Sequence, residues 1–439
     1  MRKLILILSV VLITAGESLF AQQDSIWTLE KCIKYALDKN IQVRKGELSN
    51  QESVLNASQA RFQRLMSVSA SISQNFDWAR STATGSSGLT GSSGSAYSVS
   101  SGVTLFNASK LTNQISQADL EIEAGKSSLE TTKESISLSI LNAYLQILYA
   151  EEQVNNSKKQ IESSKSQLNL ASERLGTQLI SQSDYAQVKS QLASEELTLA
   201  NAKSTLAIDK INLMQLMELP VVDSFNIVHP DLSGSLDQGR IPDVKTVYEK
   251  ALAIKPQVKN AAINKQVAAI DEKIAKTAYY PTLSASAGLS SNYSSLGTDN
   301  YFNQINNGIK PYAGLSLSIP IYQKNQVKTN VAIAQINYQT AELSEMDTRN
   351  QLRKSIEQAC QDVVSAQIQY EASLENYKAM LESSELSNEK FINGMINSTD
   401  YLVSKTNLIV AESQLLQSKF NLIFSYKILD FYSGVPLTL

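Results

Sequence analysis

The chain has 439 residues, a formal net charge of −3, eight prolines, two tryptophans and a single histidine. A balance this close to neutral leaves no electrostatic footprint for a polyanion, which argues against nucleic acid as a partner. One histidine leaves little from which to build a metal or catalytic centre, and so few prolines fit long uninterrupted helices.

The chain starts MRKLILILSVVLITAGESLFAQQ. Arg2 and Lys3 precede an apolar run from Leu4 to Thr14, and small residues precede Gln22. This pattern predicts a secretory signal peptide over 1–21, cut after Ala21. The apolar run is too short to span a bilayer as a helix, and no later stretch approaches spanning length.

The remainder is read as one unit used twice. ALDKNIQV at 36–43 matches ALAIKPQV at 251–258, and QSDYA at 182–186 matches STDYL at 398–402. Such pairs are offset by 215 positions early in the unit and by 216 later. The expected organisation is a first structural repeat over 22–220, a linker at 221–242 and a second repeat over 243–439. The linker holds Pro230, glycines and several Asp residues, as a connector does.

In chain order, each copy opens with a short helix (28–38; 245–254). A second helix follows, to about 63 or 278, the latter opened by Pro256. Alternating Val68, Ala70, Ile72 and Leu283, Ala285, Ala287, Leu289 predict strands at about 65–76 and 281–293. A Gly/Ser/Asn-rich tip separates each from a returning strand, at about 99–107 and 311–322. Pro320 sits awkwardly inside the last of these. The tips read as mobile solvent loops. Long helices then run over about 108–176 and 324–392, each followed by a turn and a helix back (183–218; 398–432).

Along the first long helix, Ile140, Ile147, Val154, Ile161, Leu168 and Leu175 recur at sevens. Ala143, Ala150, Ser157, Ser164 and Ala171 each follow by three. This predicts a coiled-coil seam of large knobs beside small partners, suited to closely packed helices. At 1.5 Å per residue the helix is about 100 Å long.

Four strands with Ala/Leu-rich faces cannot lie open in a bilayer, because sheet edges there stay unsatisfied. Four are too few to close, and twelve from three chains leave an open lumen. The expected fold class is therefore an α+β membrane protein: a trimeric, twelve-stranded outer-membrane β-barrel continued by a long α-helical periplasmic barrel, in a homotrimer that contacts outer-membrane lipids.

The order helix, strand, loop, strand, long helix, turn, helix, used twice, resembles the TolC-like outer membrane efflux proteins. LEKCIKYALDKNIQV, YYPTLSASAG and FINGMINSTDYLVSKTNLIVAESQ carry the same resemblance. It covers essentially the whole chain after the signal peptide. The resemblance implies an exit duct of a tripartite efflux or type I secretion system, exporting small molecules or proteins across the periplasm and outer membrane. It implies a periplasmic adaptor (membrane fusion protein) and an inner-membrane pump of RND or ABC type as partners, with no cofactor and no enzymatic activity.

It also implies a constriction at the periplasmic helix ends. The family pattern there is a basic residue, an aromatic, a glycine and then an Asp. Lys390, Phe391, Gly394 and Asp400 match it, whereas the first copy carries Arg174, Leu175, Gln178 and Asp184. The family's further acid, one turn after Asp400, is Val403 here. Threefold symmetry would gather three copies of Asp184 and Asp400 around a narrow opening, favouring cations. Simple helix capping is the competing reading, since Ser181 and Asp184, like Asn397 and Asp400, have capping-box spacing.

His229 beside Pro230 reads as an exposed loop residue without a partner set, and Cys32 and Cys360 do not correspond between copies. A structural coiled-coil stalk or adhesin of the envelope is the alternative that the heptads alone allow. A periplasmic adaptor would need a compact β domain that the sequence lacks. A barrel enzyme would need a nucleophile or metal motif that it lacks too.

Overall fold

The computed structural model describes residues 26–80, 89–220, 225–230 and 243–439. The expected signal peptide, most of the linker and the centre of the first tip (81–88) lie outside the described residues. The first copy contributes α1 (Leu29–Lys39), α2 (Ile41–Phe62), β1 (Ser67–Arg80), β2 (Leu89–Phe106), α3 (Lys110–Gly176) and α4 (Gln182–Leu216). The second contributes α5 (Val244–Ile254), α6 (Pro256–Thr277), β3 (Thr282–Ser294), a short α7 (Tyr301–Asn307), β4 (Lys310–Ser318), α8 (Gln326–Ile392) and α9 (Ser398–Ser433).

The duplication extends to single backbone angles. Every described residue with positive φ has its mate in the other copy: Ala108 with Lys324, Ser109 with Asn325, Gln178 with Gly394, and Glu218 with Gly434. The first two pairs turn each returning strand into its long helix. The last two end helices.

The described residues divide into two compact units that cut across the repeats. One holds the segment up to Lys45, Glu130–Lys255 and Asn350–Leu439; the other holds Gly46–Leu129 and Pro256–Arg349. The second unit contains an antiparallel sheet of order β1-β2-β3-β4. Its register puts Val68, Ala70, Ile72, Phe76, Trp78, Val99, Val103, Leu283, Leu289, Leu315 and Leu317 on one face. The opposite face is paved with hydroxyls: Ser69 meets Ser100 at 3.0 Å and Ser71 meets Ser98 at 2.7 Å across β1 and β2.

The strands differ from the expected bounds at both ends. β1 and β2 stay paired far beyond 76 and 99, through Asn75↔Gly94 and Trp78↔Gly91 to Arg80↔Leu89. The Gly/Ser residues 89–98, read as a mobile tip, are therefore strand. A ladder is made by backbone groups and is indifferent to the lack of apolar alternation. Trp78 helps, since its indole lies over Gly91, where a Cβ would approach Nε1 to 3.1 Å. β4 instead stops at Ser318, short of the expected 322, because Pro320 cannot donate to a ladder.

The first unit is built on a helical core. Ile140, Leu141, Ile147 and Leu213 are fully buried with Leu29, Cys32, Ala36 and Ile423. Two residues of the linker join them. Phe225 and Ile227 are buried, and Ile227 forms a parallel bridge with Trp27. Tyr144 closes this junction: its hydroxyl donates to the Val228 carbonyl at 2.7 Å, with the Trp27 carbonyl at 3.1 Å. Burial pushes its phenol well above the usual range. His229, expected as an exposed loop residue without a metal or catalytic partner set, is exposed and lies 3.0 Å from the Glu151 carboxylate, which also pairs with Lys210 at 3.0 Å. Cys32 and Cys360 are both free thiols, and burial pushes that of Cys32 up to about 12.

Tyr144→Phe removes the donor that ties the linker to the core. A buried carbonyl left unpaired costs about 1–3 kcal/mol. The variant should therefore unfold at lower denaturant with an unchanged slope, as an equilibrium urea titration would show.

Candidate functional site

The helix ends at Gly176 and Ile392, with the turns that follow, lie in one compact unit. Both ends close by the same hydrogen bonds. Leu179 N donates to the Arg174 carbonyl at 2.9 Å and Gln178 N to that of Leu175 at 3.0 Å. In the second copy Met395 N donates to Lys390 at 2.8 Å and Gly394 N to Phe391 at 3.1 Å. This double closure is the Schellman arrangement, whose turn residue takes a left-handed conformation. Gly394 does so at φ 70°, whereas Gln178 adopts φ 60° with a side chain to accommodate.

Arg174 joins the two copies. Its guanidinium donates to the Phe391 carbonyl at 3.0 Å and to the Ile392 carbonyl. The Phe391 carbonyl thus accepts from Arg174 as well as from Gly394 N, and a cation there also meets the negative end of the helix dipole. The guanidinium lies 5.7 Å from the Phe391 ring centroid. The Tyr401 ring stacks on that of Phe391 at 4.8 Å with planes 15° apart. Gln167 in turn donates to the Tyr401 hydroxyl.

The two aspartates differ. Ser181 and Asp184 make a full capping box at the start of α4, with Asp184 N donating to Ser181 Oγ at 3.1 Å and Ser181 N to Asp184 Oδ2 at 3.2 Å. The Ser398 hydroxyl of α9 donates to the same carboxylate. That bond first, and then those from Ser181, hold Asp184 below its ordinary value of 3.8. At α9, Asn397 accepts from Asp400 N at 2.8 Å, and the Asp400 side chain stays exposed. Of the six residues expected at the constriction, Arg174 and Phe391 touch, Asp184 is tied to the α9 turn, Gly394 shapes a turn, and Lys390 and Asp400 face solvent.

The seam residues change along α3. Ile140 and Ile147 are fully buried, Val154 and Ile161 nearly so, and Leu168 and Leu175 half-buried. Ala143, Ala150, Ser157, Ser164 and Ala171 are all buried.

One buried polar cluster had no sequence signal beyond the small Ser164. Lys405 Nζ lies 3.1 Å from Glu195 Oε1, and both residues are buried. Ser164 donates to Glu195 Oε2 at 2.6 Å and Gln191 to Oε1 at 3.0 Å. Burial pulls the Lys405 ammonium below its ordinary value against the opposing pull of Glu195. Glu195 and Lys405 sit on helices far apart in sequence, so no i,i+4 pattern announces the pair.

A family model described as outer membrane efflux protein matches residues 32–218 and 247–434. The chain belongs to this family. The two matched stretches fall on the two copies of the unit, and the chain is accordingly an efflux channel of the outer membrane. The stalk or adhesin alternative finds no support. Among curated proteins no sequence matches.

Solved structures with a similar fold include the CmeC outer membrane channel of Campylobacter jejuni, with 16% identity and TM-score 0.75 over 95% of this chain and 90% of that one. VceC of Vibrio cholerae has 16% identity and TM-score 0.75 over 93% and 96%. The open state of MtrE from Neisseria gonorrhoeae has 16% identity and TM-score 0.74 over 93% and 88%. Among the described residues no helix is long and apolar enough to cross a membrane, and no cluster of His, Cys, Asp and Glu could hold a metal ion.

Two consequences can be measured by denaturant titration. Gln178→Gly relieves a left-handed side chain and should stabilise by about 1 kcal/mol, whereas Gly394→Ala, with open space around it, should cost about 1–2 kcal/mol through backbone strain alone. Glu195→Ala strands a buried lysine and should cost about 3–5 kcal/mol, while the double change Glu195→Leu with Lys405→Met should restore most of that loss.

Proposed function

We propose that this channel is the exit duct of a tripartite export system, formed when three copies pool their sheets into a twelve-stranded barrel. The observation that carries this is the sheet. It has one apolar and one hydroxyl-lined face, and β1 and β4 stand at its edges. A bilayer tolerates neither open edge, and four strands cannot close on themselves. With the apolar face against lipid, the lumen is lined by Ser67, Ser69, Ser71, Ser100, Ser284 and Ser286, a surface with little charge to discriminate between solutes.

The helices then form the periplasmic tunnel, with the α3 seam packing helix on helix. A periplasmic adaptor and an inner-membrane pump of RND or ABC type supply cargo and energy, the cargo being small molecules or proteins. Among the similar structures are outer membrane channels, one of them in an open state, which supports a duct whose passage can change width.

The narrow point of this duct is the set of helix ends bearing Arg174, Asp184, Lys390, Phe391, Gly394 and Asp400. Asp184 is held by the contacts that join the two hairpins. The exposed Asp400 carboxylate is the one free to face the passage. Three of each around an axis favour cations.

Planar-bilayer conductance of the purified protein tests this reading. Wild type should show a small, cation-selective conductance that grows or loses selectivity in Asp400→Ala and, through weakened hairpin contacts, in Asp184→Ala. A folded assembly without any conductance would reject the duct. A channel indifferent to both changes would remove the aspartates from the constriction.

A further inference from the structure

The structure assigns this chain a binding site for a small amphiphilic monocarboxylate, with the Lys255 ammonium as its anchor. The site is a cavity of about 610 Å³ between α1, α3, the end of α5 and the tail that follows α9. It lies within one compact unit and uses none of the residues placed at the constriction.

Lys255 ends α5, and its side chain is only 2% exposed. A charge that deep is tolerated only where it is compensated. Glu134 Oε1 on α3 lies 3.2 Å from Nζ, and the centroid of the Phe431 ring lies 3.2 Å from the same atom. An ammonium carries three donors. Glu134 supplies the one acceptor that the described residues offer it. Burial pulls the ammonium below its ordinary value against the opposing pull of Glu134. A second acceptor, entering through the cavity, would meet a donor that the chain itself leaves unused.

The duplication supplies an internal comparison. Lys255, Glu134 and Phe431 stand where the other copy has Asn40, Asn350 and Gln215. Asn40 is as buried as Lys255, but its side chain is committed to backbone. Its Nδ2 donates to the Leu216 carbonyl at 2.9 Å, and its Oδ1 accepts from Gln42 N at 2.8 Å. A neutral residue thus ties one helix end to another. In the second copy the same position carries a charge, turned on a carboxylate and a ring. Such a buried pair adds little stability over neutral groups of similar volume. The fold has a less costly solution at this position and uses it once, so the charge answers to something other than the fold.

The rest of the lining sets the class of ligand. Ile33 and Leu37 of α1, Ile254 of α5, and Val435 and Leu437 of the tail form apolar walls. Gly434, at φ 78°, turns the tail beside Ile254, where a Cβ would stand 2.6 Å from its Cδ1. The other charges sit outward: Glu30, Lys34 and Glu130 are exposed, and Lys133 is held by Glu130 at 2.8 Å. A ligand must therefore bring an apolar body and one anionic head, and a cavity of this size suits a small molecule. A carboxylate is the acceptor that Nζ already takes from Glu134. A dianion such as a phosphate monoester would set more negative charge against Glu134 beside a single ammonium. An organic cation would find the Phe431 ring already taken by Lys255.

Photolabelling of the full-length protein in a maltoside detergent tests this. The probe is decanoate with a diazirine near its methyl end, and adducts are located by mass spectrometry of proteolytic peptides. Labelling of α1 and the tail should saturate, and unlabelled decanoate should displace it where decanol and decyltrimethylammonium do not. Lys255→Met should weaken it about tenfold or more, the usual worth of a hydrogen bond to a charged group. Glu134→Gln, which removes the competing carboxylate, should strengthen it. Val435→Trp fills the cavity without touching Lys255 and should abolish it; this variant decides the matter should Lys255→Met fail to fold. The absence of adducts on α1 and the tail overturns the inference. So does labelling there that decanol displaces as well as decanoate, or that survives Val435→Trp in folded protein. Stronger displacement by decyl phosphate than by decanoate overturns the carboxylate assignment.

Discussion

Close approach of helices to α3 is the constraint on which the helical unit depends. Ala143, Ala150, Ser157, Ser164 and Ala171 present almost no side chain, and all five are buried. A larger residue at any of them would hold the neighbouring helix off and remove dispersion contacts along both sides. The polar contacts follow from that closeness. Gln153, Gln160 and Gln167, each one position before the seam, can reach α9 only because the backbones are near. Ser164 both leaves room for the Lys405–Glu195 pair and donates to its carboxylate. Such a pair adds little net stability over apolar residues of similar volume. Its effect is to penalise any sliding of α9 against α4, because a slipped register leaves a buried charge unpaired.

Duplication explains why the two helix ends look alike and behave differently. Both turns use the same hydrogen bonds and the same left-handed residue, so the backbone is common inheritance. The side chains have diverged on top of it. Arg174 has a planar fork that takes two carbonyls at once, while the equivalent Lys390 offers a single compact ammonium. The Phe391 ring meets both Arg174 and Tyr401, while its mate Leu175 has no ring to offer either. The set at Arg174 and Phe391 is therefore the better built of the two.

Helices were the most legible part of the sequence. Their apolar period, the proline opening α6 and the scarcity of breakers locate both long helices to within a few residues. The strands were legible only where Val, Ile and Leu alternate with Ser. Beyond Phe76 the partners of β1 are Ser92, Gly91, Thr90 and Leu89, which show no apolar alternation, though their backbone groups pair all the same. The linker was legible only in part: Phe225 and Ile227 lie in its apolar first stretch, VVDSFNIV, and fill the core, while the Pro, Gly and Asp residues that follow read as a connector. At the candidate site the pattern of residue types was visible, but not which side chains meet. Nothing local marks Ser398 as the partner of Asp184, or Glu195 as that of Lys405. Those pairings follow from tertiary register, which a single helix does not encode.

The contrast between Asp184 and Asp400 shows what register adds. Their spacing from a cap residue is the same, so sequence treats them alike. In the structure, the Asp184 carboxylate accepts from Ser181 and from Ser398 of the opposite hairpin, and these donors stabilise its charged form. Its oxygens are committed to holding two hairpins together. At Asp400 the capping is done by Asn397, which leaves the carboxylate free. A group already saturated by hydroxyl donors responds weakly to a passing ion, because its charge is satisfied before the ion arrives. A free carboxylate at a helix start keeps its full field for whatever approaches. Of the two aspartates, structural duty therefore falls to Asp184, while the Asp400 carboxylate stays uncommitted and exposed within the chain.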